Sequence, residues 1–308
     1  MKKQLAGAIA LFLLSVMCSG LLTGCAGADA SARQYKWLDI PYANVSASQK
    51  LDIYLPYEGK GPYPVIVSIH GGGYNTGDKV GPDLLSAWEG LKRGYAVVSV
   101  NYRLSGEAVF PAQINDIKAA LRFIRANHRE YNFDPDNIAV WGSSAGGALA
   151  ALAGTTGDVQ ELMAPPYDNI EQSDRVQAVV DWCGPINPLT IDEQYAKSGI
   201  KGFKQNCVDS FSSKYMGKQI TQVPDLVKKA NPETYISWDD PPFLIQHGTA
   251  DNWIPVQQSI DFAARLSAIL GKDKVQCDII QDAGHGGKSF NNIENVGKVL
   301  DFLDKYLK

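Results

Sequence analysis

The sequence predicts an α/β protein whose mostly parallel central sheet is covered by helices on both faces. Short apolar runs alternate with stretches of helical periodicity along most of the chain, a pattern typical of this layered architecture. The 308 residues, 45% of them apolar and 20% charged, have an ordinary globular composition and suit one large domain. The net charge of −4, with no long block of like charge, gives no indication of a nucleic-acid partner.

The first half of the folded region begins with strands and continues into a helix. Residues 36–41 and 49–55 alternate roughly between apolar and polar side chains, which predicts an opening hairpin. Residues 64–70 and 95–101 are nearly continuous apolar runs, as expected of strands buried on both faces. Within 111–129, apolar side chains recur every three or four residues, which indicates an amphipathic helix.

The second half repeats the pairing of strand and helix around one irregular stretch. Residues 184–240 show the least regular pattern, and we expect them to form loops or a small cap over a functional site. The segments on either side of this stretch are predicted as follows: strand 137–141, helix 146–153, strand 176–181, strand 242–246, helix 256–270, strand 275–280 and helix 292–307.

The N-terminus is predicted to be an export signal rather than part of the fold. Two lysines precede residues 5–16, an apolar run too short to span a bilayer comfortably. The motif Leu-Thr-Gly-Cys that ends at Cys25 resembles the lipobox of bacterial lipoproteins, and this implies cleavage before Cys25 and its lipidation. The alternative is a plain signal peptide that is cut after the small residues around Ala28.

The predicted organisation therefore has a lipoprotein signal peptide (1–24), a lipid-anchored tether (25–34) and one large folded domain (35–308). Acyl chains on Cys25 would hold a soluble domain at a membrane without a spanning helix. We accordingly expect an exported protein at the cell membrane or cell surface, with the membrane as a partner through this lipid anchor.

Three cysteines belong to the predicted folded domain; Cys183 directly precedes the irregular stretch and Cys207 lies within it. Because an exported protein meets oxidising conditions, a disulfide between Cys183 and Cys207 would brace that stretch. The alternative is that Cys183, Cys207 and Cys277 are all small buried apolar side chains. The spacing of the cysteines does not decide between the two.

The strongest local motif is a serine flanked by glycines, Gly142-Ser-Ser-Ala-Gly146, which fits G-x-S-x-G with Ser144 at its centre. An apolar strand precedes it and a small-residue helix follows, so the serine is expected at a sharp strand-to-helix turn. The glycines remove side chains that would clash in such a turn. The helix N-terminus would direct free N–H groups toward developing negative charge. Ser144 is therefore the predicted nucleophile.

A glycine loop, His-Gly71-Gly72-Gly73, follows the predicted strand 64–70 directly. A tetrahedral oxyanion requires N–H donors about 3 Å away, and glycine allows the main chain to approach a substrate closely. We predict the N–H groups of Gly72, Gly73 and Ala145 as these donors. The alternative is a flexible glycine turn with no role beyond ending the strand.

The base and its orienting acid are predicted from their order along the chain. The sequence has four histidines. Hydrolases with the G-x-S-x-G turn have nucleophile, acid and histidine in that order, which His285 satisfies after the last predicted strand. Asp251, in the loop after strand 242–246, would orient the imidazole and stabilise its protonated form. Asp181, at the end of the preceding strand, is the alternative acid.

With these motifs in place, the chain from about residue 36 onward resembles the α/β-hydrolase superfamily. The glycine loop continues as Tyr-Asn-Thr-Gly-Asp-Lys79, and Asn-Tyr-Arg-Leu104 and Gly-Ser-Ser-Ala-Gly-Gly147 follow. These motifs resemble the esterase/lipase branch and, more closely, the bacterial BD-FAE group of feruloyl and acetyl xylan esterases. The resemblance implies an α/β-hydrolase fold and hydrolysis of carboxylic esters through an acyl-enzyme, with no cofactor or metal.

Three aromatic residues beside the predicted catalytic loops, Tyr74, Trp182 and Trp253, are predicted substrate contacts. They could stack on a sugar ring or an aromatic acyl group, and the alternative is that at least one is core. The expected partner is a small-molecule or polysaccharide-linked ester, with acetyl or feruloyl esters of plant polysaccharide preferred. A general short-chain carboxylesterase and a non-catalytic surface-binding α/β-hydrolase remain as alternatives.

Overall fold

The structure is a computed structural model that describes residues 35–162 and 168–308. The predicted signal peptide and tether, including Cys25, lie outside the described residues, so the export and lipidation predictions are not addressed by the structure. Among the helices of the described residues, none is both long and apolar enough to cross a membrane.

A single sheet of eight strands organises the described residues, in the order β1-β2-β4-β3-β5-β6-β7-β8. The first pair and the pair β2–β4 are antiparallel, and every pair from β4 to β8 is parallel. The mostly parallel sheet and its opening hairpin are therefore confirmed. The strands are β1 (Lys36–Pro41), β2 (Lys50–Tyr54), β3 (Tyr63–Ile69), β4 (Ala96–Val100), β5 (Phe133–Ser143), β6 (Ala178–Trp182), β7 (Phe243–Gly248) and β8 (Val275–Ile280).

Helices cover both faces of this sheet, as predicted. Alternate residues of a strand point to opposite faces, so Val65 and Val67 of β3 enter one core cluster and Ile66 enters the other. The first cluster is closed by α2 (Ala112–Ala126), α4 (Ala145–Thr155) and α8 (Gln257–Leu270), and the second by α1 (Asp83–Trp88) and α10 (Ile293–Leu307). The helices of the described residues are α1 (Asp83–Trp88), α2 (Ala112–Ala126), α3 (His128–Tyr131), α4 (Ala145–Thr155), α5 (Ile191–Ser198), α6 (Phe211–Met216), α7 (Pro224–Ala230), α8 (Gln257–Leu270), α9 (Lys288–Asn291) and α10 (Ile293–Leu307).

The stretch 184–240 is more helical than its sequence pattern suggests. It holds α5, α6 and α7 together with 3₁₀ turns at Ile220–Gln222 and Pro232–Thr234. Each of these elements has eight residues or fewer. Helical periodicity needs several turns before it can be recognised in a sequence, and these helices are too short to provide them.

The carboxyl ends of the parallel strands meet at one edge of the sheet, where ligands of open α/β sheets bind. The glycine loop follows β3, Ser144 follows β5 and Cys183 follows β6. Asp251 lies in the turn after β7, and His285 in the loop after β8. Predicted site residues that are far apart in sequence are thus carried to the same edge.

Candidate active site

Ser144 lies at the sharp turn between β5 and α4, with backbone angles φ 56° and ψ −122°. This positive φ is strained for a residue with a side chain. The glycines on either side allow it: a Cβ on Gly142 would come 2.1 Å from the Gly146 oxygen, and one on Gly146 would come 2.1 Å from the Ile69 oxygen. The Ser144 N–H also donates to the Trp182 oxygen at 2.7 Å. The close packing therefore holds the strained serine in a single position.

A chain of hydrogen bonds joins the predicted nucleophile, base and acid. The Ser144 hydroxyl lies 2.8 Å from His285 Nε2, to which it donates, and His285 Nδ1 donates to Asp251 Oδ2 at 2.6 Å. A base within reach of a nucleophile, itself oriented by a third group, is the arrangement that activates a hydroxyl for nucleophilic attack. The structure thus brings together the three side chains that chain order singled out.

The Asp251 carboxylate is buried and accepts four hydrogen bonds. Its Oδ1 accepts the backbone N–H groups of Trp253 at 2.8 Å and Ile254 at 2.9 Å. Its Oδ2 faces His285 and, at 3.2 Å, His247 Nε2. Burial alone would raise the pKa of Asp251, but hydrogen bonds from His247 and His285 hold that pKa well below its usual range. The carboxylate is therefore ionised wherever the protein is folded near neutral pH.

His247 is a functional residue that the sequence analysis did not identify. It is fully buried, its Nδ1 lies 2.7 Å from the Ser259 hydroxyl, and its Nε2 lies 3.0 Å from the Ile254 oxygen. A hydroxyl that donates to Nδ1 leaves the proton on Nε2, where it faces the Ile254 oxygen and Asp251. His247 thus contacts the acid at Oδ2, the same oxygen that His285 contacts. Its position at the end of β7, four residues before Asp251, was the available signal.

Opposing influences set the pKa of the His285 imidazole. Burial lowers this pKa, whereas Cys183 and Asp251 raise it, and the result lies above the usual 6.5. Burial raises the pKa of the Cys183 thiol itself, so the thiol is neutral near pH 7. The ionised Asp251 is therefore the charged neighbour that stabilises a protonated His285.

Asp181, the alternative acid, has no histidine partner within the described part of the chain. Its Oδ1 accepts the Gly184 N–H at 2.9 Å, and its Oδ2 has no hydrogen-bond partner among the described residues. A Cβ built on Gly147 would lie 2.3 Å from Oδ1, so the carboxyl group packs closely under the start of α4. Burial raises the pKa of Asp181 to about 7. The geometry favours Asp251 over Asp181 as the group that orients His285.

The glycine loop lies beside the nucleophile. A Cβ built on Gly71 would come 3.3 Å from Ser144 Cβ, and Gly72 and Gly73 have φ values of 106° and 60° that favour glycine. The Gly71 N–H donates to Asp83 Oδ2, which holds the loop in place. Within residues 35–162 and 168–308, no acceptor is found for the N–H groups of Gly72, Gly73 or Ala145. Three donors near the serine are therefore available to a ligand.

The predicted disulfide between Cys183 and Cys207 is wrong. Both cysteines are free; Cys183 is buried and Cys207 is exposed. Cys183 follows β6 with a φ of 46°, and its sulfur lies within 4.8 Å of the facing atoms of Asp251 and His285. Cys207 instead lies near the Lys204 oxygen, at the wall of the active-site cavity. Cys183 lies in the core behind the catalytic residues and Cys207 lies at the surface, so the two face different surroundings.

Tyr74 and Trp182 are core residues, so their prediction as substrate contacts is wrong. Tyr74 is 4% exposed and stacks on Tyr215 with ring centres 3.7 Å apart. Trp182 is 3% exposed and lies edge-on to Trp141 and Phe290. Both rings are large apolar groups that the core takes up. The third predicted contact, Trp253, is 44% exposed and faces the cavity.

An open cavity of about 620 Å³ lies above Ser144 and His285. Its size is in the range of small-molecule sites. Its walls come from the glycine loop, the turn after β7, and the segment between α5 and α6. The lining residues include Gly72, Gly73, Asn75, Thr76, Phe203, Lys204, Asp209, Phe211, Lys214, Trp253 and Ile254.

Cys183, Asp251 and His285 offer three atoms within 4.8 Å of one another that could bind a metal ion. The Asp251 and His285 atoms, however, lie only 2.6 Å apart. Two ligands of one tetrahedral zinc ion lie about 3.3 Å apart, given the usual metal–ligand distances of about 2 Å. The short separation therefore indicates a hydrogen bond between the two side chains rather than a shared metal.

Comparison with known proteins agrees with this architecture. The chain is 31% identical to the probable carboxylic ester hydrolase LipM of Mycobacterium tuberculosis, over 78% of this chain and 54% of that protein. A truncated form of a carbohydrate esterase from gut microbiota superimposes with a TM-score of 0.81 and 31% identity, over 90% of this chain and 97% of that one. A bifunctional GH43-CE protein of Bacteroides eggerthii gives a TM-score of 0.78 and 35% identity, over 88% and 38% of the two chains.

These similarities confirm the α/β-hydrolase fold. The chain spans about half the length of the curated relatives it matches. The family model for BD-FAE matches residues 51–266, from β2 through most of α8, and so includes the glycine loop, the Ser144 turn and Asp251. With the motifs, the fold and this match in agreement, the chain belongs to the BD-FAE family.

Proposed function

We propose that this protein is a serine carboxylesterase with Ser144 as nucleophile, His285 as base and Asp251 as orienting acid. The observation that carries the proposal is the hydrogen-bonded chain of these three side chains at the floor of an open cavity. Relatives described as carboxylic ester hydrolases and esterases support it.

The proposed reaction proceeds in two halves. His285 Nε2 takes the hydroxyl proton as Ser144 Oγ attacks the ester carbonyl carbon, and the C=O electron pair moves onto the carbonyl oxygen. The N–H groups of Gly72, Gly73 and Ala145 stabilise that oxyanion. Collapse breaks the bond to the leaving oxygen, which takes the proton from His285, and an acyl-enzyme remains. Water then repeats the sequence to release the acid and restore Ser144.

We propose acylated plant polysaccharide as the substrate class, with an acetyl or feruloyl group as the acyl half. The solved carbohydrate esterase and the GH43-CE protein, each more than 30% identical to this chain, support a carbohydrate ester. The cavity is open, and charged Lys204, Asp209 and Lys214 at its walls offer polar partners for the hydroxyl groups of a carbohydrate. The general short-chain carboxylesterase is the competing candidate, since curated relatives are named esterases with no carbohydrate substrate in the name.

A hydrolysis panel tests this proposal. Purified protein is assayed on 4-nitrophenyl acetate, butyrate and octanoate, on methyl ferulate and on acetylated xylan, with Ser144→Ala and the adjacent Ser143→Ala as a matched pair. We expect release of acetate from xylan or of ferulate, abolished in Ser144→Ala and retained in Ser143→Ala. Activity on simple esters alone would support the general carboxylesterase. A folded wild type that cleaves none of them would overturn the esterase proposal.

We further propose that the protein is exported and anchored to a membrane by acyl chains on Cys25. The support is the lipobox-like motif directly after the apolar run. Cells that express the full chain are labelled with radioactive palmitate and fractionated. We expect label in the membrane-bound protein and its loss in Cys25→Ala. Release of an unlabelled wild type into the medium would instead favour the plain signal peptide.

A further inference from the structure

Two aromatic rings stand exposed together at the mouth of the active-site cavity. Phe203 and Trp253 stack with ring centres 4.2 Å apart and planes inclined by 25°. They remain 49% and 44% exposed, and both line the cavity that holds Ser144 and His285. Large aromatic groups left in water beside a site are a feature of ligand-binding surfaces. We call this pair the aromatic platform.

The aromatic platform is fixed to the catalytic turn by backbone hydrogen bonds. The Trp253 N–H donates to Asp251 Oδ1 at 2.8 Å, and the Phe203 N–H donates to the Asn252 oxygen at 3.2 Å. The segment that follows Phe203 is held by Asp192 of α5, whose carboxylate accepts the Gln205 N–H at 2.6 Å. The backbone that carries both rings is therefore held in place, which lowers the entropy lost when a ligand binds.

The mechanism indicates which half of the ester meets these rings. His285 Nε2 must reach the leaving oxygen to protonate it, so the alcohol half of the substrate passes beside the imidazole. The ring of Trp253 lines the cavity next to this imidazole, with its centre 6.3 Å from that of His285. The carbonyl oxygen of the ester must instead face the N–H groups of the glycine loop. The platform therefore lies on the alcohol side of the ester.

A pyranose ring matches this surface chemically. The C–H groups on one face of the sugar carry partial positive charge and prefer the electron-rich face of an aromatic ring. The hydroxyl groups around the sugar's edge need polar partners, and the exposed side chains of Lys204 and Asp209 line the same cavity. A simple alkyl alcohol has neither a sugar face to stack on an aromatic ring nor several hydroxyl groups to bind the polar side chains.

We propose that the outer face of the stacked Phe203–Trp253 platform binds the pyranose ring that bears, or neighbours, the esterified hydroxyl. This proposal rests on the esterase function proposed above, because the mechanism sets the side of the cavity. The proposal assigns the platform as the subsite that binds the leaving group of a carbohydrate ester.

Binding measurements test the platform independently of catalysis. In a Ser144→Ala background, titration calorimetry measures the affinity for unsubstituted xylohexaose, mannohexaose and cellohexaose before and after Phe203→Ala and Trp253→Ala. Truncation keeps the backbone N–H groups that hold Asp251 and the turn. We expect at least one hexasaccharide to bind and each truncation to weaken it about 3- to 10-fold. Trp238→Ala, at an exposed tryptophan outside the cavity lining, is the matched control and should bind as the parent does.

A second measurement compares two substrates with the same acyl group in the Ser144-containing enzyme. We expect Phe203→Ala to lower kcat/KM for acetylated xylo-oligosaccharide about tenfold more than kcat/KM for ethyl acetate, which has no ring. Failure of all three hexasaccharides to bind, or equal affinity in the platform variants and their parent, would overturn the platform. Loss of the esterase proposal would appear separately, as a wild type inactive on ethyl acetate and on every other ester.

Discussion

His247 supports the catalytic acid, and its removal is predicted to slow catalysis without weakening substrate binding. The imidazole does not line the cavity, but its Nε2 lies 3.2 Å from Asp251 Oδ2. His247→Ala would delete one of four hydrogen bonds to that carboxylate. Asp251 would then be held less firmly against His285, whose protonated form it stabilises in the transition state.

The geometry sets the expected size of the effect. Hydrogen bonds to a charged group contribute about 1.5–3 kcal/mol, and this one is the longest of the four, so the lower figure applies. About 1.5 kcal/mol corresponds to roughly a tenfold fall in kcat. The variant would also leave the buried Ser259 hydroxyl and Ile254 oxygen unpaired, which should lower the free energy of unfolding by about 2–6 kcal/mol.

The assay separates these two consequences. We expect kcat on 4-nitrophenyl acetate to fall about tenfold in His247→Ala with KM unchanged, and His247→Gln to recover part of kcat because it keeps an N–H donor. Gln113→Ala is the matched control: Gln113 is fully buried and donates to the Arg103 and Ala108 oxygens away from the triad. It should lose stability and keep kcat. A folded His247→Ala with wild-type kcat would refute the supporting role.

Two further predictions concern the base and the glycine loop. Because Asp251 raises the pKa of His285 and the base must be neutral to act, kcat/KM should fall as the pH drops through a midpoint above 6.5; Asp251→Asn should move that midpoint to lower pH and reduce kcat about 10⁴-fold. If kcat/KM of the wild type and of Asp251→Asn fell at the same midpoint in a pH series from 5 to 10, this prediction would be contradicted. In Gly72→Ala the new Cβ would lie 2.2 Å from the Thr76 oxygen, so the loop must shift and kcat should fall about 10²- to 10³-fold. Gly297→Ala, in open space on α10, should keep kcat and raise the melting temperature.

The parts of the site that lie next to strand ends could be predicted from sequence. Apolar runs mark the strands, and parallel strands bring their carboxyl ends to one edge, so the loops carrying Ser144, Asp251 and His285 had to converge. The glycine loop could be placed for the same reason. The chain order of the three side chains then separated His285 from the other histidines.

The residues that complete the site depend on tertiary packing and could not be predicted in this way. Phe203 lies 50 positions before Trp253, in a segment without visible periodicity, and only the fold stacks the two rings. Tyr74 and Trp182 lie as close to catalytic loops in sequence as Trp253 does, yet their rings turn into the core. Sequence proximity indicates where a backbone goes, whereas the direction of a side chain depends on which apolar neighbours surround it.

The strained residues at the edge of the sheet show how the site is held ready for reaction. Ser144 and Cys183 both have positive φ, a conformation that costs about 1–3 kcal/mol at each such residue. Each is held by a hydrogen bond that continues the sheet beyond its last strand pair: the Ser144 N–H reaches the Trp182 oxygen, and the Cys183 N–H reaches the Gln246 oxygen. The backbone strain at the end of one strand is thus offset by a hydrogen bond to the neighbouring strand. These hydrogen bonds link Ser144 to β6 and Cys183 to β7. The sheet therefore fixes the distances between the catalytic side chains on which the proposed chemistry depends.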